Sequence, residues 1–274
     1  MKFLRVGEIG SEKPAVLDAD GRLRDLSAQI GDIGGDVLGD LASLTADGPI
    51  IEGSPRLGMP IARPGKVVCI GRNYQEHANE MGGEAPEEPL IFMKASSSLQ
   101  GPNDPVIRPK GAQSVDYEVE LAVVIGTSAK HVSEADALSH VAGYMTFNDM
   151  TERDFQKKRG GQWTKGKSCD TFGPMGPYLV TPDEIGDPQA LALELSVNGQ
   201  LRQSSHTGLM VFSVARLISY LSDFFTLEVG DVIATGTPAG VGAGMVPPQF
   251  LSAGDEVTCS VGPLGQQRFS IIEA

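Results

Sequence analysis

Hydrophobic and polar residues alternate along several short stretches of the chain, which is the pattern of half-buried β-strands. The most regular stretch is DYEVELAVVIG, where five apolar side chains from Tyr117 to Ile125 fall on one face and Asp116, Glu118 and Glu120 on the other. KVVCIG and GYMTFND predict two further strands, and an Asn-Gly pair farther along the chain predicts a hairpin turn. The pattern therefore predicts a strand-rich protein.

Helical patterns are fewer and shorter. QEHANEM predicts a short helix that ends at Gly82, and residues three apart on such a helix, here His77 and Glu80, share one face. An amphipathic stretch from about residue 210 to 225 predicts a longer helix. Residues 151–168 are polar and basic and predict a loop. The whole pattern favours an α+β fold dominated by β-structure.

Prolines and glycines in GSPRLGMPIARPG, from Gly53 to Gly65, separate two parts of the chain. Residues 1–60 predict a small N-terminal module that contains a hairpin turn at Asp20-Gly21 and a helical stretch, DVLGDLASL. Residues 64–274 predict the main domain.

Composition excludes several classes of protein. The 274-residue chain carries 35 Asp and Glu against 22 Lys and Arg, and its net charge of −13 repels nucleic acid and anionic membrane surfaces. Cys69, Cys169 and Cys259 form no CxxC pair, which argues against a disulfide framework and a zinc site and favours structural cysteines. Because no apolar run is long enough for a membrane span and no signal peptide is evident, we expect a cytoplasmic protein.

Two glycine-rich segments resemble nucleotide-binding motifs only superficially. GQWTKGKS, at 161–168, satisfies the phosphate-loop pattern, but that loop needs an apolar strand before it and a helix after it. The flanking segments are polar on one side and rich in glycine and proline on the other. TGTPAGVGAG does not match the dinucleotide pattern either, so we expect no nucleotide cofactor.

Two groups of residues are candidates for chemistry. Glu118, Glu120 and Asp149 supply three hard oxygen donors, the ligand type that Mg²⁺ and Mn²⁺ prefer, although two glutamates on one strand face are also common at a solvent-facing edge. His77 and Glu80 have the residue types of a general-base pair, although such spacing is more often a surface pair. The residues alone leave both alternatives open.

The motifs GRNYQEHANE, DYEVELAVVIG, FNDMTERDFQ, WTKGKS, FGPMGP and TGTPAGVG occur in this order between about residues 64 and 274. In this combination the chain resembles the fumarylacetoacetate hydrolase family. The match is nearest to the bacterial branch that acts on acylpyruvates, including the 2,4-diketo-3-deoxy-L-rhamnonate and L-fuconate hydrolases. The N-terminal module resembles the prefix of bacterial members.

The resemblance implies a mixed β-sandwich roll assembled as a homodimer, with 64–274 as the catalytic domain. Nine positions correspond to the family's site residues: the metal ligands Glu118, Glu120 and Asp149; the catalytic residues His77, Glu80 and Lys167; and the substrate-binding residues Arg72, Gln156 and Thr237. The cofactor implied is Mg²⁺ or Mn²⁺.

The implied activity is hydrolytic cleavage of a C–C bond in a 2,4-diketo acid, which releases pyruvate and a small carboxylic acid. Decarboxylation of oxaloacetate is the nearest alternative, because it forms the same pyruvate enolate without a water. Isomerisation of a 2-oxo acid, ureidoglycolate cleavage and non-catalytic binding of a small acid rank lower. Retention of His77 and Glu80 argues against a binding protein, since binding alone does not need a general base.

Overall fold

The computed structural model describes residues 1–274 and consists mainly of strands. The strands are β1 (Lys2–Val6), β2 (Lys13–Leu17), β3 (Leu23–Asp25), β4 (Val67–Gly71), β5 (Leu90–Lys94), β6 (Leu99–Gln100), β7 (Val106–Arg108), β8 (Val115–Asp116), β9 (Val119–Ile125), β10 (Val141–Asn148), β11 (Thr151–Glu152), β12 (Gly173–Pro174), β13 (Leu179–Val180), β14 (Ala192–Val197), β15 (Gln200–His206), β16 (Val232–Ala234), β17 (Glu256–Val261) and β18 (Gln266–Glu273).

The α-helices are α1 (Gln75–Glu80), α2 (Arg153–Lys158), α3 (Thr164–Lys167), α4 (Pro182–Ile185) and α5 (Val214–Phe224). The longest helix, α5, lies where the amphipathic pattern predicts it. Its buried side chains follow the helical period, and the Ser213 hydroxyl accepts a hydrogen bond from the N–H of Arg216 at its start. In the structure none of these helices is both long enough and apolar enough to cross a membrane.

Most of the strands form two sheets. The larger has nine strands in the order β3-β2-β1-β13-β10-β9-β16-β4-β5, and the smaller has five in the order β15-β14-β17-β18-β7. The first three strands extend the larger sheet, because β1 pairs with β13. The domain boundary near residue 60 stays a prediction.

Both faces of the nine-stranded sheet are covered. On one face, Leu121 and Val123 of β9 belong to a core that includes Leu193 of β14 and Leu217 of α5, so this core lies between the two sheets. On the other face, Ala122 packs into a second core with N-terminal residues and loops. Any polar side chain on β9 is therefore buried, whichever face it occupies.

Three local predictions were wrong. The alternating stretch is not one strand: β8 ends at Asp116 and β9 begins at Val119. The basic stretch 151–168 is not a loop, because it contains β11, α2 and α3. DVLGDLASL forms two short 3₁₀ turns rather than an α-helix, since its glycines and aspartates disfavour a longer helix.

Candidate active site

Three buried carboxylates meet at one end of β9 and β10. Glu118 precedes β9, Glu120 lies within it, and Asp149 follows β10, which is the antiparallel neighbour of β9. One ligand oxygen from each lies within 4.8 Å of the others. Glu118 is 4% exposed, Glu120 1% and Asp149 0%, so the alternative of a solvent-facing strand edge is wrong.

Two cations stabilise one side of this acidic cluster. The Nζ of Lys167 lies 2.5 Å from Glu118 Oε2, and the Nη2 of Arg153 lies 2.8 Å from Glu118 Oε1. Burial opposes ionisation of Glu118, but these two cations outweigh it and hold the pKa of Glu118 at about 2. Burial would lower the pKa of Lys167, yet the charges of Asp149 and Glu118 raise it above its ordinary value. Glu118 and Lys167 are therefore an ionised pair.

Glu120 has no such compensation. It accepts one hydrogen bond, from the N–H of Gly236 at 2.8 Å, and no lysine or arginine pairs with it. Burial, together with the charges of Asp149 and Glu118, raises the pKa of Glu120 well above its ordinary value. A divalent cation would remove this penalty, and three carboxylates are hard ligands of the kind that Mg²⁺ and Mn²⁺ bind. The residues therefore fit a metal site.

Lys94 is a member of the cluster that the sequence analysis missed. It is the last residue of β5, its side chain is fully buried, and its Nζ donates to Asp149 Oδ1 at 2.7 Å. It also donates to the carbonyl oxygens of Met150 and Lys167. Asp149 is thus held by one lysine on each carboxylate oxygen, Lys94 on Oδ1 and Lys167 on Oδ2. The apolar stretch around Lys94 gave no sign of this contact.

The short helix α1 carries the pair of His77 and Glu80. His77 Nδ1 lies 3.3 Å from Glu80 Oε2, and Glu80 Oε1 accepts a hydrogen bond from the N–H of Gly240 at 2.9 Å. His77 is 6% exposed, so the alternative of a surface pair is wrong. Gly82 and Gly83 follow the helix, and Gly82 has a φ of 79°, which suits a glycine at the end of a helix.

The two groups face one cavity. Of the nine residues predicted for the site, seven line it, all except Glu80 and Asp149, which are bonded to residues that do. Arg153, Lys157 and Trp163 also line it and were not predicted. The cavity is therefore shared by the acidic cluster and by His77. The grouping is as expected, while the roles of the individual residues stay predictions.

Close packing of α2 against α3 places the basic residues of the cavity. A Cβ on Gly166 would lie 2.4 Å from the carbonyl oxygen of Glu152, so only glycine permits this approach. The following residue, Lys167, then points into the acidic cluster, and its Nζ lies 5.1 Å from the ring centre of Phe92. The helix α3 follows α2 rather than a strand, which agrees with the rejection of a phosphate loop.

Thr237, which lines the cavity, is fixed by two hydrogen bonds. Its hydroxyl donates to the carbonyl oxygen of Val119 and accepts from Gln203 Nε2 at 2.8 Å. Arg72 has a φ of 56°, an uncommon conformation for a residue other than glycine, and it lines the cavity beside α1. Cys169 lies outside this cavity, and burial raises the pKa of its thiol to about 11, which keeps it protonated at neutral pH.

The fold is rich in strands, and one cavity is lined by a buried acidic cluster and by the helix that carries His77 and Glu80. These features define an enzyme of the class that the sequence motifs indicate. Residues 66–272 match the fumarylacetoacetate (FAA) hydrolase C-terminal family. The chain belongs to this family and is a hydrolase. It is 51% identical over 279 residues to a protein of Sphingomonas sp. (strain SKA58) named 2,4-didehydro-3-deoxy-L-rhamnonate hydrolase, covering 100% of this chain and 96% of that protein.

Solved structures confirm the expected fold. The fumarylacetoacetate hydrolase from the psychrophile Exiguobacterium antarcticum superposes with a TM-score of 0.88 at 39% identity, and the match covers 100% of both chains. The 2-hydroxyhepta-2,4-diene-1,7-dioate isomerase from Mycobacterium marinum superposes with a TM-score of 0.81 at 33% identity, covering 100% of this chain and 98% of that one. Relatives with this fold thus carry names of hydrolases and of an isomerase.

Proposed function

We propose that the chain hydrolyses a C–C bond in a 2,4-diketo acid, an acylpyruvate or a 2,4-diketo-3-deoxy sugar acid, with release of pyruvate and a small carboxylic acid. The observation that carries the proposal is that His77, which is paired with Glu80, lines the same cavity as Glu118 and Glu120. The name of the Sphingomonas relative supports a deoxy sugar acid as the substrate. Assembly as a homodimer is part of the proposal, and light scattering measures it directly.

Glu118, Glu120 and Asp149 would hold Mg²⁺ or Mn²⁺. When bound, the ion supplies Lewis acidity to the oxygens of the 2-oxo acid and favours the enolate form of the leaving pyruvate. All three carboxylates are buried. Chelation with EDTA is therefore expected to abolish turnover, and added Mg²⁺ or Mn²⁺ to restore it.

The remaining steps belong to side chains of this chain. Glu80, oriented by His77 and by the N–H of Gly240, removes a proton from the water that adds to the C4 carbonyl. Lys167 and Arg153 place positive charge where the oxyanion develops. Collapse of the adduct breaks the C3–C4 bond, the acyl group leaves as a carboxylic acid, and a proton added at C3 completes pyruvate.

Arg72, Gln156 and Thr237 line the cavity and would bind the substrate. Gln156 is 3% exposed, and its Oε1 faces the guanidinium of Arg153 at 3.4 Å, so its amide is oriented before substrate arrives. A preorganised wall of this kind favours one pose of the substrate.

The test compares Glu80→Gln with the wild type on a 2,4-diketo-3-deoxy sugar acid, an acylpyruvate and oxaloacetate at saturating Mg²⁺. Hydrolysis needs an activated water and decarboxylation does not. We therefore expect Glu80→Gln to lose a factor on the order of 10² in kcat for diketo-acid cleavage. Glu76→Gln, an exposed position on the same helix, is the matched control and should retain activity.

Other outcomes have definite meanings. Wild-type protein that releases pyruvate from oxaloacetate alone would replace the hydrolase with a decarboxylase on the same site. Interconversion of 2-oxo acid isomers without cleavage would favour the isomerase, the activity for which the Mycobacterium marinum neighbour is named. Diketo-acid cleavage at wild-type rate by Glu80→Gln would remove Glu80 from the mechanism.

A further inference from the structure

Asp116, at the end of β8, is fully buried and lies outside the cavity. Its Oδ1 accepts from the N–H of Gly242 at 2.7 Å, and its Oδ2 accepts from the N–H of Ala243 at 3.0 Å. The same Oδ2 accepts from Arg153 Nε at 2.8 Å. One carboxylate thus fixes both an arginine of the cavity wall and the segment that contains Gly242.

The segment 240–244 also receives Glu80. The N–H of Gly240 donates to Glu80 Oε1 at 2.9 Å. A Cβ on Gly244 would lie 2.2 Å from both Cγ and Cδ of Glu80, so the glutamate side chain rests directly on this glycine. The position of the segment therefore determines the position of the Glu80 carboxylate.

The second arm of Asp116 leads to the acidic cluster. Arg153, held by Asp116, forms an ion pair with Glu118, with 2.8 Å between Nη2 and Oε1. Two series of contacts start from Asp116, one through Arg153 to Glu118 and one through the segment 240–244 to Glu80. Both consist of ion pairs and hydrogen bonds between buried or partly buried groups.

We infer that Asp116 is a positioning residue that sets the distance between the Glu80 carboxylate and the Glu118 carboxylate. The inference rests on the proposed function, in which Glu80 activates the water and Glu118 belongs to the metal site. An aspartate suits this task because its two oxygens accept from three backbone amides, those of Tyr117, Gly242 and Ala243, while its charge balances Arg153. Asparagine has one acceptor oxygen, and its NH₂ group would face an N–H donor.

Asp116→Asn is the main test, and Asp231→Asn is the matched control. Asp231 is equally buried, accepts from the N–H of Lys66 and of Glu228, and pairs with Lys66 Nζ, but it lies outside the cavity. Both variants remove one buried carboxylate charge from a comparable network. Only Asp116→Asn is expected to displace Glu80.

The first measurement needs neither metal nor substrate. Amide hydrogen exchange of residues 75–83 should be faster in metal-free Asp116→Asn than in the wild type and unchanged in Asp231→Asn. Equal exchange of these residues in the two variants would overturn the inference. Because no turnover is involved, this result is independent of whether the proposed reaction is correct.

The second measurement is kinetic. With a diketo acid at saturating Mg²⁺, Asp116→Asn should lose a factor on the order of 10 to 100 in kcat, while KM changes about twofold or less, since a shifted base impairs chemistry more than binding. In a Glu80→Gln background the same change should have little further effect on kcat. Multiplicative losses in the double variant would overturn the inference.

Gly244→Ala provides a second variant should Asp116→Asn fold poorly. The added methyl group meets only the flexible side chain of Glu80 among the nearest atoms, so the fold should tolerate it while Glu80 moves. We expect the same faster exchange of residues 75–83 and the same loss in kcat, with Asp116 intact. If Gly244→Ala has the amide exchange and the kcat of the wild type, the segment 240–244 does not position Glu80, and the inference is overturned.

Discussion

Lys167 and Asp149 face each other inside the acidic cluster, with Nζ 2.5 Å from Oδ2 and both side chains buried. The same ammonium lies 2.5 Å from Glu118. Lys167 therefore places a positive charge between two of the three carboxylates that would hold a divalent ion. In the metal-free protein this lysine, together with Arg153 and Lys94, compensates their charge, which links the stability of the fold to the occupancy of the site.

Lys167→Met should lower the free energy of unfolding of the EDTA-treated protein by about 3 to 5 kcal/mol, because the buried carboxylates of Glu118 and Asp149 each lose one of their two cationic partners. Saturating Mg²⁺ should then stabilise the variant more than the wild type, since the ion replaces the missing charge. Urea unfolding with and without Mg²⁺ measures both effects.

Lys165→Met is the control, because Lys165 lies on the same helix α3 but is exposed. Its stability and its response to Mg²⁺ should equal those of the wild type. A response of Lys167→Met no larger than that of the wild type would place the ion elsewhere.

The helix α1 and the glycines after it are expected to move when substrate binds. The helix has only six residues, and Glu80 is the residue that anchors its end to Gly240. We expect residues 74–83 to exchange their amides quickly in the free protein and slowly with Mg²⁺ and oxalate, which resembles the pyruvate enolate. Peptides from α5 serve as the internal reference. Identical exchange with and without both ligands would contradict a lid role.

Much of the site could be predicted because its residues lie on short regular elements. Glu118, Glu120 and Asp149 mark strand ends, and alternation of the stretch that leads into β9 correctly places Val119 and Leu121 on the face that packs against the second sheet. The pattern could not show that the opposite face is equally buried. That depends on the N-terminal strands and loops, which are distant in sequence.

What the sequence could not show are contacts between residues far apart. Asp116 and Glu118 were assigned to one strand face and both contact Arg153, but nothing in the sequence indicates that Asp116 also binds the segment 240–244. Lys94 follows an apolar strand and gave no functional signal, yet it binds Asp149, 55 positions away. A charged residue at a strand end is ordinary in sequence, and only the fold decides whether its charge is solvated or paired.

Tyr74, which precedes α1, has a buried hydroxyl group without a hydrogen-bond partner. Burial and the charge of Glu120 raise the pKa of Tyr74 above its ordinary value, so the hydroxyl keeps its proton. An unpaired buried polar group costs free energy, and Tyr74→Phe should therefore raise the free energy of unfolding of the metal-free protein by about 1 kcal/mol. Thermal and urea unfolding measure the change.

Tyr117→Phe is the comparison for Tyr74→Phe, because the hydroxyl of Tyr117 donates to the carbonyl oxygen of Gly240 at 3.2 Å. Removal of that hydroxyl should lower stability by about 1 kcal/mol, the opposite sign. Equal destabilisation by both substitutions would show that the Tyr74 hydroxyl has a partner in solution.

Glu120 should make the metal-free protein less stable as the pH rises. Its pKa in the folded protein lies well above its ordinary value of 4.5, chiefly because of burial and then because of Asp149 and Glu118. Above pH 4.5 the unfolded chain releases this proton while the folded chain retains it. Ionisation therefore stabilises the unfolded state relative to the folded state, and the free energy of unfolding falls as the pH rises. The pKa of Glu118 is lowered to about 2, so Glu118 stays ionised in both states above about pH 5.5 and adds no slope there.

Glu120→Gln isolates this effect, because glutamine does not titrate and its carbonyl oxygen can still accept from the N–H of Gly236. Without metal, the variant should match the wild type near pH 4.5 and become progressively more stable than it as the pH rises, by up to about 1.4 kcal/mol per pH unit. Excess Mg²⁺ should reverse the order, since the ion stabilises the carboxylate and glutamine is a poorer ligand. Glu194→Gln, at an exposed strand position, should follow the wild type throughout. Urea unfolding at pH 5 to 8 with EDTA or Mg²⁺ gives all of these comparisons. If Glu120→Gln is less stable than the wild type at pH 8 in EDTA, Glu120 is already ionised and its charge is compensated in the folded state.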